Sequence, residues 1–124
     1  MLTELYERRA AAFSTADPAA LSDVYLPGSA LLERDTGQVR ALAAAGQVLA
    51  GFAPQVRRLV SVDPDGEERA VLRLVDELPG HRVVAAADPA ASGREVAGRG
   101  EAEVRIVLTQ TAAGWRISDA RIGW

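Results

Sequence analysis

The chain has 124 residues, 48% hydrophobic and 25% charged, ordinary values for a single globular domain spanning 1–124. A net charge of −3 argues against a nucleic-acid or anionic-membrane surface, and the absence of cysteine excludes disulfides, thiolate nucleophiles and cysteine metal sites. All 14 basic residues are arginine, so Schiff-base chemistry on a lysine is excluded too. No run approaches the roughly 20 apolar residues that span a bilayer. Glu4, Glu7, Arg8 and Arg9 interrupt any leader-like stretch at the start. A cytoplasmic chain is the default expectation, and an exported domain of a membrane-anchored protein is the alternative.

The first half reads helical. Leu2, Leu5, Tyr6, Ala10 and Phe13 recur at helical spacing, with charged residues around them. Asp17-Pro18 reads as an N-cap acceptor followed by proline at the first helical position. It predicts a short helix through Leu21, Val24 and Tyr25, stopping near Pro27-Gly28. Asp35 or Thr36 is the expected cap of a third helix carrying Val39, Leu42 and Ala43, with Gly46 as its stop.

From about Phe52 the period changes to two. Strands are predicted over 56–62, 70–76 and 81–87, the first two joined by a Pro64-Asp65-Gly66 turn. The glycine-rich stretch 88–100 reads as a long mobile loop. Ala102, Val104, Ile106 and Leu108 then alternate with Glu101, Glu103, Arg105 and Val107, and a turn at Thr111–Gly114 leads into a last strand over 115–124. Helices followed by an antiparallel meander predict an α+β fold, with three N-terminal helices packed on one face of a strongly curved sheet.

The starts LYERRAAAF and ADPAALSDVY, the break YLPGSALL and the closing hairpin VRIVLTQTAAGWRISDARI resemble the nuclear-transport-factor-2-like superfamily. The segment ADPAALSDVYLPGS is similar to a variant met in actinobacterial proteins of unassigned role. The resemblance implies a cone-like fold with an open pocket, and frequently a homodimer. The superfamily holds isomerases, cyclases, dehydratases and non-catalytic binding domains, so the fold alone does not choose among them. Its enzymes place acids, a histidine or a tyrosine inside the cone, which makes Tyr6, Tyr25, Asp76, His81 and Asp119 the pocket candidates. Tyr6 matches the isomerase pattern of a tyrosine on the first helix. The isomerase's base region here reads PGSALLERD, with Glu33 and Asp35 offset, which speaks against steroid-type isomerisation.

Asp76 shares strand parity with Leu72 and Leu74, so it should face the same side as two leucines. A turn through Leu78-Pro79-Gly80 would return His81, the only histidine, beside it. Such a pair would move a proton near neutral pH. The alternative is a strand ending in Asp76 and Glu77, with His81 on the rim. Asp119 follows Trp115 and Ile117 in parity, yet Ala120, Ile122 and Trp124 share the opposite one, so the strand twists, bulges or is buried on both faces. Arg121 would then pair with Asp119 or Asp76. Arg94 and Arg99 are expected to be solvent-exposed loop charges, and Arg8 with Arg9 an ordinary helix face.

One histidine without cysteine predicts no metal site, and nothing in the chain points to a cofactor. The leading expectation is a non-catalytic domain that binds a small apolar or amphipathic ligand or serves dimerisation or sensing. The competing one is an acid–base enzyme using Asp76 and His81, with Tyr6 or Tyr25 polarising a carbonyl. Val71, Val75 and Val107 on the outward parity suggest the dimer face.

Overall fold

A computed structural model describes residues 2–90 and 93–123. Helix α1 spans Leu2–Thr15 and buries Leu5, Ala12 and Phe13. Asp17 then accepts a hydrogen bond from the Ala19 amide at 3.1 Å, and Pro18 opens a short 3₁₀ helix, Pro18–Asp23. Helix α2 spans Ala30–Ala44 and starts earlier than the sequence suggests, because Ser29 rather than Asp35 or Thr36 is its cap. The Ser29 hydroxyl accepts from the Leu32 amide at 3.2 Å, and Asp35 lies inside the helix, fully buried.

Among the described residues seven strands follow: β1 Gln47–Ala50, β2 Gln55–Pro64, β3 Arg69–Leu78, β4 His81–Ala85, β5 Arg94–Val96, β6 Gly100–Thr111 and β7 Gly114–Ile122. They form two antiparallel sheets, β2-β3-β6-β7 and β1-β4-β5, where the periodicity suggests one. Strand β4 does not fold back onto β3. Pro79 offers no backbone donor to continue a ladder, and the chain crosses to the second sheet, where His81 pairs with Val96.

The stretch 88–100 is not simply a loop. Its Ala91 and Ser92 lie outside the described residues, as does Trp124. Arg94–Val96 forms β5 against β4, and Gly93 packs so tightly that a Cβ there would fall on the Val83 backbone. Strands β1 and β5 are too short to register as alternation.

The helices cover the inner face of the four-stranded sheet. Leu5, Phe13, Leu21, Leu74, Ile106 and Leu108 belong to one buried cluster. Each such side chain contributes about 1.5–3 kcal/mol by leaving water. The Leu26 amide donates to the Ile117 carbonyl and the Ile117 amide to Val24, both at 2.9 Å, which fixes Tyr25 against β7. Strand β7 resolves its mixed parity with a bulge. Val107 pairs with Asp119 and Leu108 with Ile117, which leaves Ser118 as the extra residue. No helix of the described residues is long and apolar enough to cross a membrane.

Candidate functional site

Strand β3 presents Leu72, Leu74 and Asp76 on its buried face, and Asp76 is only 6% exposed. An ionised carboxylate at that depth requires partners. It has two. The Tyr6 hydroxyl of α1 donates to Oδ2 at 2.7 Å, and Arg99 Nη2 donates to Oδ1 at 2.6 Å. Arg99 sits between Gly98 and Gly100, immediately before β6. Gly98 has no room for a side chain, since a Cβ would fall on the Leu78 carbonyl and within 2.6 Å of the Gly80 amide nitrogen. Gly100 adopts φ +77°, a left-handed conformation that glycine adopts at little cost. The two glycines therefore let this strap lie close to the β3–β4 connection and carry Arg99 to Asp76. Arg99 is not a free loop charge.

A second set of the same chemistry stands beside the first. Asp35 accepts from Arg9 Nε at 2.7 Å, from Arg9 Nη2 at 3.5 Å, from Arg34 Nη2 at 3.4 Å and from the Tyr25 hydroxyl. The Arg9 guanidinium also lies over Phe13 and Phe52, 5.1 and 5.3 Å from their ring centroids. Arg9 is thus no ordinary helix-face residue. Burial alone would raise the Asp35 pKa, but the bonds and charge of Arg9, with Tyr25 and Arg34, outweigh it and hold the carboxyl below its usual range. Burial, reinforced by Asp76, raises the Tyr6 phenol pKa far above its ordinary value. Burial also raises that of Tyr25, where Asp35 adds to the effect and Arg9 opposes it. Both phenols are therefore neutral donors at neutral pH.

Tyr6, Tyr25, Asp76, Arg9, Arg34, Arg99 and Arg121 line one cavity of about 330 Å³. The rest of its wall is largely aliphatic, from Leu5 and Leu31 on the helices to Val104, Ile106, Ile117, Ala120 and Ile122 on β6 and β7. The bulge at Ser118 turns both Ile117 and Ala120 toward it.

Two candidates from the sequence stand apart from this cavity. His81 is 8% exposed, but it does not line the cavity and shares no hydrogen bond with Asp76. Its Nδ1 lies 3.3 Å from the Pro79 carbonyl and its ring packs edge-on against Phe52, 5.1 Å between centroids. The cause is the chain's crossing into the second sheet after Pro79. Asp119 is exposed, because the bulge turns it outward, and it forms no ion pair with Arg121. Arg121 faces Arg105 across the ladder and forms none with Asp76 either. Sequence reasoning missed Arg9, Asp35 and Arg99. Among the described residues no cluster of histidine and acidic groups could hold a metal.

No protein-family model matches the chain, and no curated protein matches it at significant similarity. Solved structures do. The intermembrane-space region of the chloroplast protein ARC6 superposes with a TM-score of 0.71 at 16% identity, covering 98% of this chain and 90% of that one. Kfla4162 from Kribbella flavida gives 0.62 at 18% identity, covering 98% and 86%. An NTF-2-like protein of unknown function from Shewanella oneidensis MR-1 gives 0.58 at 8% identity, covering 96% and 93%. At these identities the likeness is one of fold.

Proposed function

Taking the nuclear-transport-factor-2-like fold as the premise, we propose that this chain is a non-catalytic domain, one unit over 1–124, that binds a small apolar or amphipathic molecule in the cavity. The observation that carries this reading is the cavity itself. It has about 330 Å³ of space, a mostly aliphatic wall, and acids already closed by phenols and guanidiniums. That volume is at the lower end of small-molecule sites, which run from about 300 to 1,000 Å³. An acid–base enzyme needs a free proton acceptor within reach of its substrate. Here Asp76 already accepts a phenol and a guanidinium, which favours binding over proton transfer.

In this reading the helices close one side of a strongly curved sheet, and two copies pair through its outer face. Val71 and Val75 are half-buried there, whereas Val107 is already buried within the single chain. Titration with an environment-sensitive naphthalene-sulfonate dye tests the binding role. The wild type should bind one equivalent saturably, and Ala120→Trp, which fills the cavity, should abolish the signal while far-ultraviolet circular dichroism is unchanged. Equal dye uptake by both proteins overturns the proposal.

A further inference from the structure

The cavity's polar groups are unbalanced in a direction that specifies its guest. Four arginines, Arg9, Arg34, Arg99 and Arg121, line it, against two carboxylates, Asp76 in the wall and Asp35 behind it. Positive charge is in excess. Asp35 already accepts four hydrogen bonds, its full lone-pair capacity, and it does so from behind the cavity wall. Of its two arginine partners Arg34 approaches less closely, with Nη2 at 3.4 Å against 2.7 Å for Arg9 Nε, and its side chain is 56% exposed where it lines the cavity. Each guanidinium carries five N–H donors, and Arg34 uses one of them in this structure. Donors are therefore in surplus where the wall meets solvent, while the inner wall is aliphatic.

From this we infer that the ligand is an amphipath with an anionic head, a carboxylate, held by Arg34 at the mouth, and an aliphatic tail laid along Leu5, Ile106 and Ile117. The inference rests on the binding role proposed above. A carboxylate accepts two parallel N–H bonds from one guanidinium, which suits an arginine whose fork is largely unused. A cationic head would meet an excess of arginines, and a neutral head would leave the surplus charge unanswered.

Calorimetric titration of the full chain at pH 7 with decanoate, decanol, decyl phosphate and decyltrimethylammonium separates the possibilities. Decanoate should bind at least about tenfold tighter than decanol, a difference of about 1.4 kcal/mol, and decyltrimethylammonium should bind no better than decanol. Arg34→Gln should remove most of the preference for decanoate over decanol, while Arg34→Lys should retain part of it. Decanol binding as tightly as decanoate overturns the anionic head and leaves the binding role standing. Decyl phosphate binding tenfold tighter than decanoate overturns the carboxylate head. Arg34→Gln weakening decanol as much as decanoate overturns the role of that guanidinium. Failure of every probe to bind saturably overturns the inference together with the binding role.

Discussion

Arg99 Nη2 lies 2.6 Å from Asp76 Oδ1, and the pair joins the strap before β6 to a nearly buried acid on β3. Truncating the arginine would leave that carboxylate with only the Tyr6 phenol. Removing one partner of a fully buried pair costs about 3–5 kcal/mol. Arg99 is 29% exposed, so Arg99→Ala should cost less, about 2 kcal/mol. Urea unfolding would measure it. The double variant Arg99→Ala with Asp76→Asn should recover part of the loss, since no unpaired charge remains.

Asp35 should matter more. Its side chain is fully buried and it joins Arg9, Arg34 and Tyr25. Asp35→Ala leaves the Arg9 guanidinium and the Tyr25 phenol unpaired, at a cost of about 3–5 kcal/mol. The folded state holds this carboxyl below its ordinary pKa. Its stabilising contribution is therefore complete above the unfolded value, about 3.9, and is lost as pH falls through the lower folded value. Wild-type stability should drop steeply below about pH 4, and that of Asp35→Asn should drop less.

The tyrosines set the opposite limb. Tyr6 and Tyr25 both have pKa values raised by burial and by the neighbouring carboxylates. Folding thus favours the neutral phenols. That contribution is complete below the unfolded value of about 10 and fades as pH rises beyond it. Stability measured between pH 8 and pH 11 should decline above about pH 10. The decline should be shallower in Tyr6→Phe and Tyr25→Phe, and a wild type that loses nothing there contradicts the burial of these hydroxyls.

Gly98 tests how Arg99 is delivered. A methyl group there would collide with the Leu78 carbonyl and with backbone at Gly80. Gly98→Ala should therefore cost about 1–3 kcal/mol, the range seen for overpacking. Because the strap must lift, the Arg99–Asp76 pair should loosen as well. Gly37→Ala, on an open face of α2, should be neutral or stabilising in the same assay.

Much of the fold is legible from residue order, for reasons that particular elements show. Asp17-Pro18 reads as a helix start because cap chemistry is local, and the alternation of β6 and the turn at Thr111–Gly114 are local too. The mixed parity of β7 left a twist, a bulge or burial on both faces open, and only the structure shows a bulge with Ser118 as the extra residue. What stayed hidden depends on distant partners. Asp35 looks like a cap until Ser29 takes that role and Arg9, 26 positions away, reaches it. Arg99 looks like a loop charge because glycine-rich composition signals mobility, whereas these glycines permit close packing. The expected Asp76–His81 pair assumed a hairpin, and the change of sheet after Pro79 lay beyond any periodicity argument.

A methyl-resolved nuclear magnetic resonance titration of the wild-type chain with decanol tests the central claim most directly, because it reports where an apolar guest sits. The cavity account predicts saturable shifts at Leu5, Ile106 and Ile117, with Leu59, Val60 and Val62, exposed on the edge strand β2, unmoved. Shifts confined to those β2 side chains, or none at all up to the solubility limit of decanol, would contradict it.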